Sequence, residues 1–239
     1  MPELRKISLC ITTWNRVEMT VHSFLDVIND ERISEIVISD DASDMEVFKE
    51  LKSITDIFPK IKLHRNLTNQ DCYRNKYTTI SLAKEDYCII LDSDNKIDKK
   101  YIDKIYEQEW DEETLLAPSW AMPNFDYREY SGVILDKGNI NHYLPLNMLE
   151  TCLNTMNYFV NKNKYLEVWD GSIDPVTSDS LFQNYNWIKN GYKIHILEGL
   201  WYSHLVHSGS HYQNNVVRTG DFHQKLLQKI RDLDKEMVI

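Results

Sequence analysis

The chain is poor in glycine and proline: its 239 residues include seven glycines and six prolines. It has no glycine-rich dinucleotide-binding turn and no phosphate-binding P-loop, so NAD-linked enzymes and P-loop kinases are disfavoured. No Pro/Gly-rich linker, low-complexity tract or internal repeat divides the sequence. We therefore expect its two halves to share one core, and at this length about three quarters of the unfolded surface can be buried.

Cysteine is also scarce. Cys10, Cys72, Cys88 and Cys152 are the four present, and none forms a C-x-x-C spacing. Cys10 and Cys88 lie in apolar runs, where a thiol behaves as a small hydrophobic side chain. We expect reduced cysteines with a structural role.

Basic charge and long apolar runs are lacking too. The 27 basic residues are outnumbered by 37 acidic ones, giving a formal net charge of -10, and no basic cluster stands out. This charge disfavours nucleic acid as a partner. No apolar stretch approaches the roughly 18 residues of a membrane span, and the N-terminus lacks the features of a signal peptide. We expect a cytoplasmic protein without a transmembrane segment.

The first hundred residues alternate between strand and helix patterns. The apolar runs "KISLCITTW", "ISEIVISDD", "KIKLHRN" and "DYCIILD" indicate strands, and the segments between them carry apolar residues at helical spacing. This alternation predicts an α/β fold with a parallel sheet covered on both faces. Beyond residue 100 an amphipathic helix precedes an irregular, aromatic-rich region. The end of the chain is helical again, with an apolar face that suits docking on its own domain or on a partner chain.

Polar residues follow three of these strands. They occupy 12–16, 40–44 and 92–95, and ligands of open parallel sheets bind beyond such strand ends. In "CIILDSDN" the apolar run leads directly into Asp92 and Asp94, which could hold a hard divalent cation. The alternative is that these aspartates cap the following helix or form a turn.

Together, these segments resemble a known family. "ISLCITTWNR", "EIVISDDASD", the pair Arg74 and Asn75, and "CIILDSDN" look like the nucleotide-binding half of a GT-A type glycosyltransferase of family 2, over roughly residues 6–100. "GSIDPVTSDSLFQNYNWIKNGYKIHI" is similar to the family's second signature, although its usual Glu-Asp pair here reads Ser178 and Asp179. With the histidine-bearing "WYSHLVHSGSHY", the resemblance reaches about residue 212.

The resemblance implies a GT-A type fold with a mostly parallel central sheet and helices on both faces. Residues 1–100 would form the nucleotide-sugar-binding half, 101–220 the acceptor-binding and catalytic half, and 221–239 a C-terminal helix, all in one continuous domain. That helix could also support a homo-oligomer.

The activity implied is metal-dependent transfer of a sugar from a UDP-sugar to a hydroxyl of a carbohydrate or glycoconjugate acceptor, with Mn2+ or Mg2+ and inversion of configuration. Two alternatives remain open. One is a catalytically inactive module that binds sugar nucleotides or carbohydrates, for which Ser178 is the support. The other is a sugar-nucleotide nucleotidyltransferase, which would need a glycine-rich basic loop where "TTWNRVEMT" has no glycine.

The resemblance also implies roles for single residues around the donor. Asp94 is the first choice for direct metal contact and Asp92 the second, and Ser93 would lie near the ribose. The donor's base would meet the three positions Thr12, Trp14 and Asp41, and Arg74 would face base or phosphate. Trp14 could instead be a core residue, and Asp41 and Asp44 could be turn residues.

Two further assignments concern proton transfer and the metal. Asp179 is the candidate general base, with helix capping beside Ser178 as the alternative. One of His204 and His207 is expected to complete the metal site and the other to be a core residue. His207 is favoured, because it precedes a loop and because the ligand histidine of related transferases also closes a short strand. His195 is read as a strand residue and His211 as a loop residue.

Overall fold

The computed structural model describes residues 4–143, 153, 156–205 and 211–233, except the side chains of 176 and 211–220. Its strands, numbered β1 to β10 in chain order, are Ile7–Thr13, Ile33–Asp40, Ile61–Arg65, Tyr87–Asp92, Asn95–Lys96, Thr114–Met122, Phe125–Asp126, Ile134–Leu135, Phe159–Asn161 and Lys193–His204. Its α-helices, numbered α1 to α8, are Val17–Phe24, Met45–Thr55, Asp71–Ser81, Lys99–Tyr106, Ile140–Tyr143, Lys162–Glu167, Asp179–Lys189 and His211–Asp232. Short 3-10 helices span Arg128–Tyr130 and Val176–Ser178.

The first four strands form the parallel sheet that the sequence predicts. They lie in the order β3-β2-β1-β4, and each adjacent pair is parallel. Helices α1, α2 and α3 connect them, and the predicted strand and helix positions are confirmed. The first helix is shorter than its apolar pattern suggests: it ends at Phe24, and the apolar residues that follow, up to Ile28, lie in a turn.

The second half extends the same sheet. Strand β9 inserts antiparallel between β4 and β6, and β10 runs parallel to β6 and antiparallel to β5. The sequence pattern predicts no strand at β6, whose apolar run contains Pro118, and it predicts strand only around His195 and before His207, whereas β10 is one long strand with a register shift near Gly199 at φ 76°. The sheet thus joins both halves of the chain, with His195 in β10 as expected.

Apolar clusters lie on both sheet faces. One contains the buried side chains of α1, α2 and α4, and the other those of α3, α7 and α8. The aromatic surplus of the second half largely enters the latter, where Tyr158, Tyr165 and Trp187 are fully buried. Cys10, Cys72 and Cys88, the cysteines that the structure describes, are reduced and form no disulfide, while Cys152 lies outside the described residues.

The C-terminal helix differs from its prediction at its start. Helix α8 begins at His211 and not at 221, so His211 is helical and not a loop residue. Its buried residues Leu226, Leu227 and Ile230 pack into the chain's own core, which is one of the two docking modes expected. Association of two copies through this helix stays a prediction. In the described part of the chain, no helix is both long and apolar enough to cross a membrane.

Candidate active site

The polar ends of β1, β2 and β4 meet at one edge of the sheet, as the sequence predicts. Strand β1 is central, so Thr12 is aligned with Ser39 on one side and with Asp92 on the other. The Thr12 hydroxyl lies 3.4 Å from Asp92 Oδ1, and the Asp41 N–H donates to the Thr13 carbonyl at 2.9 Å. Threonines and acids from three separate segments therefore share one surface.

The turn that carries Asp92 and Asp94 is held from the second half of the chain. The Asn157 side-chain oxygen accepts the Asp92 N–H at 2.9 Å and the Asn95 amide at 3.1 Å. The Leu205 N–H, just after β10, donates to the Asp94 carbonyl at 3.3 Å. These contacts fix the turn against β9 and β10.

Helix capping does not explain these two acids. The next helix, α4, is capped by Asp98, whose Oδ1 accepts the N–H groups of Lys100 at 2.9 Å and Tyr101 at 3.2 Å. The carboxylates of Asp92 and Asp94 pair with Lys76 and Arg16 instead.

Each acid of this turn meets a cation of the chain. Arg16 Nη1 lies 2.7 Å from Asp94 Oδ2, and Lys76 Nζ lies 3.0 Å from Asp92 Oδ1. Burial alone would raise the pKa of Asp92, but the charge and hydrogen bond of Lys76 outweigh it and lower the pKa. Asp92 is therefore ionised at neutral pH.

Lys76 also contacts the candidate base. Its Nζ donates to Asp179 Oδ2 at 2.8 Å, so one ammonium joins Asp92 at the end of β4 to Asp179 at the start of α7. Burial alone would lower the pKa of Lys76, but the carboxylates of Asp179 and Asp92 outweigh it and raise the pKa well above its ordinary value. The lysine is a buried, charged group.

Asp179 is the first residue of α7, and Ser178 occupies the cap position without a side-chain capping bond. The Asp179 side chain is 9% exposed, and its carboxylate accepts from Lys76. Ser178, which stands where the family usually has glutamate, is fully buried with its hydroxyl 3.0 Å from His223 Nδ1. The role of Asp179 as a base stays a prediction.

Trp14 follows β1 directly and is 51% exposed, so it is not a core residue. Asn15 adopts a left-handed φ of 52°, which asparagine tolerates better than most side chains. Its N–H donates to Ser43 Oγ at 2.7 Å, and its side-chain oxygen accepts the Asp44 N–H at 2.8 Å. About half of the Trp14 side chain is therefore open to solvent, directly beyond the end of β1.

Asp41 lies behind this loop and is almost fully buried. Its Oδ1 accepts from the Asn66 amide at 2.8 Å and from the Gln70 N–H at 2.9 Å. Burial raises the pKa of Asp41 despite these bonds. Asp44 is the cap residue of α2 and makes no side-chain capping bond.

Two other predicted donor contacts have different exposures. Ser93 is buried, and its N–H donates to the Thr12 carbonyl at 3.1 Å. Arg74 is exposed on α3 with its guanidinium 3.4 Å from the Gly171 carbonyl, so it faces the second half of the chain. Neighbouring Asn75 turns inward and donates to the Ser39 carbonyl at 3.0 Å.

His204 ends β10 beside the acidic turn. Its Nδ1 lies 2.9 Å from Asn95 Oδ1, and its ring centroid lies 5.1 Å from that of Phe125. When protonated, its ring would help to lower the pKa of Asp92, behind the larger effects of Lys76 and Arg16. His207 lies outside the described residues, so the choice between the two histidines stays a prediction.

The residues at this edge suit a hard divalent cation. Carboxylate oxygens and an imidazole are ligands that Mn2+ accepts, and Mg2+ prefers the oxygens. Asp92, Asp94 and Asp179 carry three negative charges against the two positive charges of Arg16 and Lys76, which leaves one negative charge. A bound dication would change the net charge of this group from one negative to one positive, which would favour binding of a diphosphate. Within the described ranges, no three His, Cys, Asp or Glu side chains cluster as a complete metal site.

Sequence reasoning missed the roles of Lys76, Arg16 and Asn157. For Lys76 a signal existed: it follows Tyr73 by three residues and precedes Ile80 by four, which places a charge on the apolar face of α3. A charged residue on such a face needs a buried partner. The partners of Arg16 and Asn157 come from distant segments and left no local pattern.

Solved structures of glycosyltransferases share this fold. One is a mannosyltransferase, PcManGT from Pyrobaculum calidifontis, in complex with GDP-Man and Mn2+. It is 12% identical with a TM-score of 0.69, over 97% of this chain and 71% of that chain. Another is S. aureus TarS 1-349 in complex with UDP-GlcNAc, at 15% identity and a TM-score of 0.65 over 87% of this chain. The match spans 60% of that TarS chain, and at such identities the likeness shows the fold.

The architecture is therefore that of a GT-A glycosyltransferase, which confirms the predicted fold class. The family model described as glycosyl transferase family 2 matches residues 8–162, and the chain belongs to this family. No curated protein matches the sequence.

Proposed function

We propose that this protein is a metal-dependent glycosyltransferase that moves a sugar from a nucleoside-diphosphate donor, a UDP-sugar, to a hydroxyl of a glycan or other acceptor. The observation that carries the proposal is the link from Asp92, at the end of β4 in a family 2 sheet, through Lys76 to Asp179 at the start of α7. The likeness to structures holding UDP-GlcNAc and GDP-Man with Mn2+ supports a nucleotide sugar as donor.

Donor binding would use the edge formed by β1, β2 and β4. The exposed indole of Trp14 would offer a flat apolar face for the base, and Thr12, Asp41 and Ser93 lie at the same strand ends. Arg74, whose guanidinium now contacts the Gly171 carbonyl, would face base or phosphate. Asp94 and Asp92, with one histidine of the β10 end, would hold Mn2+ or Mg2+. When bound, this cation supplies positive charge that neutralises the diphosphate.

Transfer would proceed by direct displacement. The acceptor oxygen forms a bond to the anomeric carbon while the bond from that carbon to the diphosphate oxygen breaks, and its electron pair leaves with UDP. Asp179 takes the hydroxyl proton, a contribution of typically about 10² to 10⁴ in rate. A single displacement inverts the anomeric configuration.

Incubation with a panel of nucleotide sugars, with and without Mn2+, tests this proposal. We expect Mn2+-dependent UDP release from one UDP-sugar, and a raised melting temperature for that donor, since a ligand that binds the folded state stabilises it. Binding without UDP release, in the presence of candidate acceptors, would favour the alternative of an inactive binding module. Ser178 in contact with His223 is the observation on the side of that alternative.

A further inference from the structure

Lys76 differs from the other charged side chains of the site because it is buried and contacts two of the site's acids. Its side chain is 4% exposed, in contrast to the 31% exposed Asp92 that it contacts. The two carboxylates that it joins belong to segments far apart in sequence, and Asp179 lies 103 residues from Lys76. The lysine therefore spans the boundary between the donor edge and the start of α7.

Helix α3 places Lys76 rigidly between these partners. Tyr73 and Ile80 on the same helix face are buried in the core, and Asn75 is tied to the β2 backbone. A lysine stem leaving this face has little freedom, because it is surrounded by packed side chains. A lysine held in this way can fix the positions of the carboxylates that it contacts, whereas the flexible side chain of an exposed lysine would adjust to theirs.

We propose that Lys76 is a positioning residue for sugar transfer: it holds the Asp179 carboxylate in place at the donor edge by bridging it to Asp92, without contacting the substrate. This inference rests on the proposed function and deepens it. It has a second consequence, because the ammonium and a divalent cation draw on the same Asp92 carboxylate. Lys76 therefore weakens metal binding while it supports transfer.

The opposite signs of these two effects give a test. For Lys76→Met we expect transfer to fall about 10- to 100-fold, the range of losses when a catalytic group is misplaced by about 1 Å. We expect the affinity of the nucleotide-free protein for Mn2+, measured by titration, to rise about tenfold. The reason is that the variant lacks the positive charge of Lys76, which competes with the metal for Asp92. A merely structural role would lower both quantities together.

A double-mutant cycle asks whether Lys76 acts through Asp179. We expect Lys76→Met to have no further effect on transfer when Asp179→Asn is already present, while the rise in Mn2+ affinity persists. The double variant also guards against misfolding, because it leaves no unpaired charge on Asp179, whereas Lys76→Met alone does. Lys62→Met is a control for the loss of a lysine that pairs with a buried acid. Lys62 Nζ lies 2.6 Å from Glu35 Oε2, and this pair is far from the candidate site. It should change neither quantity.

Additive losses of transfer in the cycle would overturn the positioning role, and so would a Mn2+ affinity that falls or stays constant in Lys76→Met. These results differ from failure of the proposed function. If the unmodified protein released no UDP from any donor, the glycosyltransferase assignment and this inference would both be overturned. Additivity in an active enzyme would overturn this inference alone.

Discussion

Arg16 and Asp94 form an ion pair of 2.7 Å at the mouth of the candidate site, with side-chain exposures of 18% and 15%. The acid assigned to direct metal contact is thus already neutralised by a residue of the same chain. A cation that binds Asp94 must therefore compete with Arg16 for the same carboxylate.

Replacing Asp94 with Ala should abolish the metal-dependent part of UDP binding, because the diphosphate loses its bound counter-ion. UDP titrations with and without Mn2+ measure this part directly. Asp98→Ala is a suitable control: it removes a nearby acid that caps α4, so we expect a stability loss of about 1 kcal/mol and unchanged metal dependence. Equal UDP affinity with and without metal in the unmodified protein would contradict the metal assignment.

Asp179→Asn should reduce transfer by about 10² or more and leave UDP affinity within a few fold, because the loss of a general base affects the chemical step. The amide keeps an oxygen that can accept from Lys76. Steady-state transfer and UDP binding on the same preparation provide the comparison. Near-normal turnover would remove Asp179 from the mechanism.

Trp14→Ala should weaken UDP binding by about 1 to 3 kcal/mol, the range for stacking of a base on an aromatic ring. The melting temperature of the free protein should hardly change, since this indole is largely exposed. Trp187→Ala offers the contrast: this tryptophan is fully buried, and its loss should destabilise the fold by about 3 to 5 kcal/mol. Unchanged UDP affinity in Trp14→Ala would exclude stacking.

Asp41→Asn should stabilise the protein at neutral pH. The pKa of Asp41 is higher in the folded protein than its value of 3.8 in the unfolded chain. The free energy of unfolding therefore falls as the pH rises from 3.8 through the pKa of the folded state, because the folded protein resists ionisation of this side chain. The gain from asparagine should thus be present at neutral pH and vanish below about pH 3.8. Thermal unfolding from pH 3 to 8 checks this sign, and a stabilisation that grew toward acid pH would refute it.

His207→Ala should weaken Mn2+ binding in the presence of UDP more than His204→Ala does. The Asn95 contact of His204 already occupies its Nδ1, although its other nitrogen could still bind a metal. Mn2+ titrations of both variants and of His195→Ala, a strand residue remote from the acidic turn in sequence, provide the ranking. The reverse order would assign the ligand to His204.

The sequence by itself determined the first four strands, their helices and the edge at which Thr12, Asp41 and Asp92 meet. These features follow from local information: apolar periodicity sets strand and helix, and parallel strands bring their carboxyl ends to one side. The acidic motif was readable for the same reason, since two aspartates end an apolar run without interruption.

Tertiary structure alone decided which cations meet these acids. Lys76 faces Asp92 and Asp179 because α3 packs between the end of β4 and the start of α7, and no local pattern encodes that packing. Likewise, β9 lies at the centre of the sheet but consists of only three residues, Phe159–Asn161, which are too few to show a strand period in the sequence. A buried ion pair depends on where two distant segments come to rest, so its partners become known only when the whole chain is folded.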